Sequence, residues 1–297
     1  MSVEKYLKPN VINQIQRLDL RAQFVVKGFL HGLHASPLHG FSVQFSEHRR
    51  YAHGDDPKNI DWRVFAKTDK YYIKKYEAET NLNGYLIMDL SHSMDYTYRQ
   101  ELTKFDYAIC LAAALTYLMV MQQDPVGLIT FNDAVRESLA PKAKRAQLSN
   151  ILSVLARTRP AGRSNFAKCS QQIGSMLRQR SLLMIFSDLL MDDPADLEML
   201  FQLSYAGHDI ILFHIMDEAE VHFPFRGTFK FTDPETQSEL DTDASGVRES
   251  YLHAVQEFRD DLKRRSQKAG VDYLPLDTSM QFDKALTEYL IHRRLRT

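Results

Sequence analysis

The spacing of hydrophobic and polar residues changes near residue 84. Before it, short stretches such as residues 41–45 and 72–76 contain alternating apolar and polar residues. A period of two is typical of strands that have one face in solvent. This pattern predicts a small β-rich module over residues 1–83.

From residue 84 onward, short continuous apolar runs alternate with longer segments. The runs at residues 85–90, 126–131 and 182–186 are typical of strands that are buried on both faces. Apolar strands that alternate with helices specify a mostly parallel sheet with helices on both faces. We therefore predict a second domain over residues 84–297, with an α/β fold built around such a sheet.

The remaining segments of this domain have the lengths and periods of further strands and helices. Asp233-Pro234 is a turn signal between two short strand-like segments, so we expect a hairpin inserted near residues 227–243. Further strands are predicted at residues 134–139, 209–215 and 271–274. The predicted helices cover residues 104–123, 143–157, 165–179, 195–205, 247–268 and 282–295.

The longest apolar run covers residues 107–121. A helix of that length rises about 22 Å, which is less than the ~30 Å thickness of the hydrocarbon core of a bilayer. Charged residues flank the run, with Lys104 and Asp106 before it and Asp124 after it. We therefore expect a helix buried in the protein core, with no insertion into a membrane.

Composition and charge exclude several classes of protein. Of the 297 residues, 44% are hydrophobic and 25% are charged, which a disordered chain or a disulfide scaffold does not show. The net charge is −1, although residues 1–83 carry 13 Lys or Arg against 9 Asp or Glu. A near-neutral chain gives no reason to expect a nucleic acid as the partner. Two cysteines, Cys110 and Cys169, and an N-terminus without an apolar signal segment favour a cytoplasmic location.

The candidate chemistry lies where the strands of the predicted sheet end. The run at residues 85–90 leads into Asp89-Leu-Ser91-His-Ser93, so one carboxylate and two hydroxyls follow a buried strand. Parallel α/β sheets bind their ligands at the carboxyl ends of the strands. The alternative interpretation is that Asp89 and the serines only cap the helix that follows.

Two further segments are expected at the same edge of the sheet. Ser164 precedes a predicted helix and offers another hydroxyl, and Asp188 follows the strand predicted at residues 182–186. Each also has a simpler interpretation, because Ser and Asp are common helix caps. A shared sheet edge would nevertheless bring Asp188 close to Asp89.

Together these residues resemble the metal-ion-dependent adhesion site of von Willebrand factor type A domains. In that family an Asp-x-Ser-x-Ser segment, a later Thr, and an Asp after a following strand hold one divalent cation. The resemblance implies a Rossmann-like type A fold and a bound Mg²⁺, with Mn²⁺ or Ca²⁺ as alternatives. Ser164 stands where the family usually has Thr, so the hydroxyl is kept and a methyl is lost. The residues that the resemblance assigns to the ion are Asp89, Ser91, Ser93, Ser164 and Asp188.

An upstream block of residues is similar to the family known as domain of unknown function 58, which carries such a block just before a type A domain. This resemblance covers nearly the whole chain. Genes of that family commonly neighbour those of MoxR-type AAA+ ATPases, which implies such an ATPase as a partner. The block consists of Arg50-Tyr51, Gly54-Asp55-Asp56, Ile60-Asp61-Trp62 and Lys75-Tyr76-Glu77.

The resemblance implies a non-catalytic adaptor that joins a MoxR-type ATPase to a protein client. If hydroxyls bind the ion directly while Asp89 and Asp188 act through waters, as in the family, the ion keeps its affinity for a carboxylate of that client. A Mg²⁺-dependent phosphatase or hydrolase is the alternative. Two-metal catalysis needs bridging carboxylates, and a covalent phosphatase needs a carboxylate where Ser91 stands. We therefore expect no enzymatic activity.

Overall fold

The structure is a computed structural model that describes residues 43–52, 60–78, 82–191, 195–233 and 235–280. The chain divides into two compact units, and His34–Asn81 form one of them. The other unit contains the described residues from Leu82 onward. The helix predicted at residues 282–295 and the Gly54-Asp55-Asp56 segment lie outside the described residues.

The smaller unit contains a two-stranded antiparallel sheet and a short helix. Strand β1 (Val43–Arg50) pairs with β2 (Tyr72–Ala78), and α1 (Trp62–Thr68) lies between them in the chain. The backbone N–H of Asp61 donates to the carbonyl of Tyr72 at 2.8 Å. This hydrogen bond ties the start of the helix to the second strand, so the described part of the unit combines strands with a helix.

The larger unit is built on a six-stranded sheet and a separate hairpin. The strands are β3 (Asn83–Asp89), β4 (Val126–Phe131), β5 (Val135–Lys142), β6 (Ser181–Ser187), β7 (Asp209–Met216), β8 (Thr228–Thr232), β9 (Glu239–Asp243) and β10 (Asp272–Asp277). The order across the main sheet is β10-β7-β6-β3-β4-β5, and every neighbouring pair is parallel except β4 and β5. The predicted fold class, α/β with a mostly parallel sheet, is confirmed.

The order of the strands reverses beside β3. The chain continues from β3 to β4 on one side, whereas the later strand β6 pairs with β3 on the other side. Such a switch point leaves a crevice beyond the carboxyl ends of the two strands, where ligands of open α/β sheets bind. Asp89 at the end of β3 and Ser187 at the end of β6 border this crevice.

Helices cover both faces of the main sheet. They are α2 (Lys104–Met121), α3 (Ala146–Arg157), α4 (Phe166–Met176), α5 (Ala195–Tyr205), α6 (Glu218–His222) and α7 (Ala244–Lys268). Consecutive side chains of a strand point to opposite faces. Leu86 and Met88 of β3 accordingly belong to the apolar core formed with α2 and α3. Ile87 belongs to the core formed with α4, α5 and α7.

The apolar helix α2 lies inside the protein core, as its sequence predicts. Among the described residues it is the one helix long and apolar enough to cross a membrane, and 89% of it is buried in the structure. Its end was predicted at Gln123, but the helix stops at Met121. The reason is that Gln123 adopts a left-handed backbone with φ of 64°, which a right-handed helix cannot continue.

The hairpin is formed by β8 and β9, which pair antiparallel between Gly227 and Asp243. The helix after it, α7, begins at Ala244, earlier than predicted, because the side chain of Asp243 caps it by accepting from the N–H of Ser245 at 3.0 Å. Helix α6 was not predicted, since five residues are too few to show a helical period.

Candidate functional site

The first strand of the main sheet ends in a fully buried carboxylate. Oδ1 of Asp89 accepts a hydrogen bond from the backbone N–H of Ser91 at 2.8 Å, and Oδ2 accepts one from the hydroxyl of Ser187 at 2.6 Å. The hydroxyls of Ser91 and Ser93 are buried and lie 2.9 Å apart. The loop after β3 therefore gathers one carboxylate and two hydroxyls at the crevice, and Ser187 is a neighbour that the sequence analysis did not assign to the site.

Asp188 lies at the same edge of the sheet and is 2% exposed. Burial, and then the charge of Asp188, raise the pKa of Asp89 to about 7, although hydrogen bonds from Ser187 and Ser91 oppose the rise. Two neighbouring buried carboxylates are unfavourable when both are charged unless a proton or a cation compensates them. The structure thus brings Asp89 and Asp188 together in a place that favours positive charge.

A buried lysine holds Asp188 from the side of α2. Nζ of Lys104 lies 2.7 Å from Oδ2 of Asp188 and 2.7 Å from Oε1 of Glu220. Burial opposes the charge of the ammonium group, but the charges of Asp188 and Glu220 outweigh burial and raise the pKa of Lys104. Neither Lys104 nor Glu220 was predicted. The signal in the sequence was a lysine at the start of an apolar helix, because a lysine is fully buried almost only with a carboxylate partner.

His214 fixes the backbone that follows β6. Its Nε2 lies 3.0 Å from the carbonyl oxygen of Asp188, and its Nδ1 lies 2.7 Å from the hydroxyl of Tyr273. Burial lowers the pKa of His214 to about 4, so the ring is neutral near pH 7. A neutral ring that carries its proton on Nε2 donates to the carbonyl of Asp188. Asp188 is therefore held by its side chain and by its backbone.

The loop that carries Ser164 is bound to the loop after β3 through its backbone. The N–H of His92 donates to the carbonyl of Gly162 at 2.8 Å. Asn165 caps α4, because its side chain accepts from the N–H of Lys168 at 2.8 Å, so Ser164 is not the cap. The N–H of Ala161 likewise donates to the carbonyl of Leu90 at 2.8 Å. Among the hydrogen bonds of the described residues, these two backbone bonds join the loops, and none connects the hydroxyl of Ser164 to Asp89, Ser91, Ser93 or Asp188.

The hairpin adds a carboxylate that the sequence analysis did not identify. Glu235, in the turn between β8 and β9, interacts with Ser93 and with the charge of Asp188. Burial raises the pKa of Glu235, the interaction with Ser93 opposes the rise, and the charge of Asp188 adds to it. The turn of the hairpin is therefore electrostatically coupled to the loops after β3 and β6.

The groups that meet at the crevice are carboxylates and hydroxyls, which are ligands of hard cations such as Mg²⁺. Among the described residues, no group of three or more His, Cys, Asp or Glu forms a metal-binding cluster. A cation here would consequently depend on the hydroxyls of Ser91 and Ser93 as well as on carboxylates. One ammonium group, that of Lys104, faces the two carboxylates of Asp188 and Glu220, so negative charge remains uncompensated. The oxygen donors and this remaining negative charge fit a divalent cation.

The sequence similarity of this chain to known proteins extends over all the residues of this site. Residues 47–261 match the model of a family described as "Protein of unknown function DUF58". An uncharacterized protein of Mycobacterium tuberculosis is 25% identical over 291 residues, which are 96% of this chain and 90% of the relative. An uncharacterized protein of Mycobacterium bovis shows the same identity and coverage.

Solved structures similar to this chain have low sequence identity to it. The conserved hypothetical protein BatB from Bacteroides thetaiotaomicron is 15% identical with a TM-score of 0.47, and the match covers 73% of this chain and 100% of BatB. The VWA domain of SpRpn10 is 14% identical with a TM-score of 0.38, and the match covers 71% of this chain and 94% of that domain. The strand order and directions given above define the fold independently of these likenesses.

Proposed function

The chain belongs to the DUF58 family, and from the geometry of its crevice we propose that it is a non-catalytic adaptor that binds proteins through a divalent cation. The cation, Mg²⁺, is coordinated by hydroxyls and carboxylates at the switch point of the sheet. A carboxylate from a protein partner completes the coordination. The proposed ligands are Asp89, Ser91, Ser93, Ser164 and Asp188.

The observation that carries this proposal is the meeting of two chain segments at the switch point. Asp89 and the paired hydroxyls of Ser91 and Ser93 follow β3, and Asp188 follows the neighbouring strand β6. Oxygen-bearing side chains therefore follow two neighbouring strands at the same edge of the sheet, and burial, and then the charge of Asp188, raise the pKa of Asp89 there. Such an arrangement supports cation binding more directly than helix capping does.

The kind of partner follows from the charge of the ligands. The hydroxyls of Ser91 and Ser93 carry no net charge, and Asp188 already shares its charge with Lys104. A divalent cation held this way is incompletely neutralised, so it retains a preference for an anionic oxygen. An aspartate or glutamate of another protein supplies such an oxygen, whereas a nucleic acid or a membrane surface is not needed.

The proposed partner is a MoxR-type AAA+ ATPase, with this protein bringing a client to it in the cytoplasm. What supports this part of the proposal is the similarity of the upstream block, which includes Ile60-Asp61-Trp62, to the block of the family. A phosphatase or hydrolase fits the crevice less well. A covalent phosphatase needs a carboxylate two residues after Asp89, where Ser91 stands.

Calorimetric titration of MgCl₂ into the purified chain tests the cation site. We expect binding by the wild type and a loss of affinity of about tenfold or more in Ser91→Ala, because a direct ligand is removed. Ser175→Ala is the matched control, since Ser175 is exposed on α4 and its hydroxyl bonds only to its own helix at Gln172. Equal binding heats in all three proteins would contradict the proposal.

Retention of a purified MoxR-type ATPase on the immobilised chain tests the partner. We expect retention in Mg²⁺, loss of retention in EDTA, and loss with Ser91→Ala but not with Ser175→Ala. Phosphate release from a phosphate ester by the purified chain alone, lost in Asp89→Ala, would support the hydrolase instead.

A further inference from the structure

A cavity of about 410 Å³ lies beside the loop that follows β3. Leu90, which directly follows Asp89, lines this cavity. Thr130 and Asn132, at the end of β4, line it as well. Asp89 is opposite Phe131 in the register of β3 and β4, and neighbouring strands lie about 5 Å apart. The cavity therefore begins one strand away from the proposed cation site.

Three arginines from different elements line the same cavity. Arg136 belongs to β5, at the edge of the sheet, and Arg157 is the last residue of α3. Arg159 lies in the loop after α3, where its guanidinium group donates to the carbonyl of Thr158 at 3.3 Å. All three arginines are exposed to solvent. A ligand that enters the cavity from solvent therefore meets guanidinium groups.

The charges around the cavity leave one guanidinium group uncompensated. Nη2 of Arg157 lies 2.8 Å from Oε2 of Glu137, which also lines the cavity. Arg136 forms an ion pair with Asp133. In the described part of the chain, no carboxylate pairs with Arg159. Three positive charges thus face two negative ones, and the excess is one positive charge.

The buried residue Asn132 connects this cavity with the loop that carries Ser164. Its Oδ1 accepts from Nε of Arg136 at 2.5 Å, and its Nδ2 donates to the carbonyl of Ala161 at 3.0 Å. The carbonyl of Asn132 accepts from the backbone N–H of Asn165 at 2.8 Å. One side chain therefore holds an arginine of the cavity and the loop of a proposed cation ligand in a fixed relation.

The excess charge and the kind of cation select a carboxylate as the ligand of the cavity. A guanidinium group binds the two oxygens of a carboxylate through parallel hydrogen bonds. A single carboxylate matches the single positive charge in excess. A nucleic acid carries a row of phosphates, and the carboxylates of Glu137 and Asp133 would repel it.

We infer that this arginine-lined cavity binds a second carboxylate of the protein partner, next to the carboxylate that completes the coordination of the cation. The inference rests on the proposed function, because it assigns the cavity to the same partner. In an extended segment, side chains two residues apart point to the same side and lie about 7 Å apart. Two acidic residues of one segment can therefore occupy the cation and the cavity together. The protein then recognises an acidic segment, and an isolated carboxylate binds more weakly.

Fluorescence anisotropy of a labelled hexaglutamate peptide, titrated with the purified full chain in MgCl₂, tests the inference. In Arg159→Gln we expect the dissociation constant to rise by about threefold to tenfold, because a charged hydrogen-bond donor is lost. Arg178→Gln is the matched control, since it removes the same charge from an exposed residue just before β6, at the opposite edge of the sheet. A hexaglutamine peptide should bind neither the wild type nor the variants.

The outcomes separate the two proposals. The effect of Arg159→Gln should persist in EDTA, whereas Ser91→Ala should remove only the part of the binding that depends on Mg²⁺. Equal dissociation constants in Arg159→Gln and Arg178→Gln would overturn the inference and leave the cation site standing. If Mg²⁺ and EDTA give the same affinity in the wild type while Arg159→Gln still weakens binding, the cation site is wrong and the cavity remains a carboxylate site.

Competition by small anions tests the choice of a carboxylate over a phosphate. At equal ionic strength, we expect acetate to displace the peptide from the wild type at least as well as inorganic phosphate does. If phosphate displaces it more strongly, and Arg159→Gln abolishes that difference, the cavity is a phosphate site and the inference is wrong.

Discussion

Lys104 and Asp188 form an ion pair from which water is almost excluded, since their side chains are 1% and 2% exposed. A buried pair of this kind stabilises a protein only while both partners are present, because each charge has lost its hydration. Glu220 shares the same ammonium group at 2.7 Å. Replacing Lys104 by an uncharged residue therefore leaves two carboxylates without their cationic partner. The loop after β6 also loses its contact with α2.

Replacing Lys104 by Met is expected to lower the free energy of unfolding by about 3–5 kcal/mol, the usual cost of removing one partner from a buried ion pair. Urea denaturation measures the change. Lys168→Met is the control, because Lys168 is exposed on α4. Equal urea midpoints for the two variants would show that the ion pair does not contribute this stability.

His214 predicts how stability depends on pH. Its pKa is about 4 in the folded protein, below the 6.5 of an ordinary histidine, because it is buried. The unfolded chain therefore binds a proton more readily than the folded chain between these two pH values. The contribution of His214 to stability is complete above pH 6.5 and is lost as the pH falls towards 4.

Between pH 7 and pH 5 we expect this residue to reduce the free energy of unfolding by about 2 kcal/mol. His214→Gln should remove that part of the pH dependence, whatever its effect on stability at pH 7. Denaturation curves at the two pH values provide the measurement, with the exposed His253→Gln as the control. A slope that is the same in the wild type and in His214→Gln would contradict the assignment.

At the scale of elements, the edge of the sheet is held by a close approach of two backbones. A Cβ on Gly127 of β4 would lie 2.6 Å from the carbonyl oxygen of Leu139 and 3.0 Å from the nitrogen of Pro141, both in β5. The register of the two strands is irregular there, between Val126 and Leu128. Glycine is therefore required by space, and the backbone of β5 cannot move away without losing its pairing.

Gly127→Ala is expected to destabilise the protein by about 1–3 kcal/mol, the usual cost of overpacking at a site where backbone must shift. Gly246→Ala tests the opposite case, because a Cβ there meets only Oδ2 of Asp243 at 3.8 Å within the first turn of α7. Alanine favours a helix over glycine by up to about 1 kcal/mol, so this variant should be equally or more stable. Guanidinium denaturation of both variants measures the two changes in stability. If Gly127→Ala and Gly246→Ala were destabilised equally, the close approach of β5 to Gly127 would not be the reason that glycine is needed there.

Elements differ in how well their own residues define them. The strands β4 and β6 and the helix α2 are long and continuous in apolar character, and the structure has each where the pattern predicts it. Helix α6 is different, since its five residues form around a capping box in which Asp217 and Glu220 bond to each other's backbone. That arrangement depends on the end of β7 and on Lys104, so no period in the sequence indicates it.

At the scale of the whole molecule, the proposed cation joins chain segments that follow β3 and β6. A ligand that binds only the folded state raises the free energy of unfolding, by about 2.7 kcal/mol at a concentration of one hundred times its dissociation constant. We therefore expect Mg²⁺ to raise the thermal midpoint of the wild type by several degrees. Asp89→Asn, which keeps the size of the side chain, should show no such rise.

Differential scanning calorimetry with and without MgCl₂ measures this effect. Asp241→Asn is the control, because Asp241 is an exposed residue of the hairpin. A rise in midpoint that is the same in Asp89→Asn and Asp241→Asn would mean that Mg²⁺ acts elsewhere on the molecule.

The architecture of this protein could be read from the order of its residues. Continuous apolar runs of strand length, separated by segments of helix length, identify a parallel sheet covered on both faces, because burial on both sides removes polar positions from a strand. The Asp89-Leu-Ser91-His-Ser93 segment was likewise visible, since its three side chains are close in sequence and follow one strand. Local patterns sufficed for these features.

The residues that surround that segment are determined by the tertiary structure and not by its local sequence. Lys104 meets Asp188 across 84 residues of sequence and Glu220 across 116. The hairpin turn likewise interacts with Ser93 from a distant part of the chain, and the residues around Glu235 in the sequence do not indicate this. Contacts between distant residues depend on the strand order and on the packing of loops, and a one-dimensional pattern carries neither. The charge at the crevice, and hence its chemistry, is therefore a property of the tertiary structure.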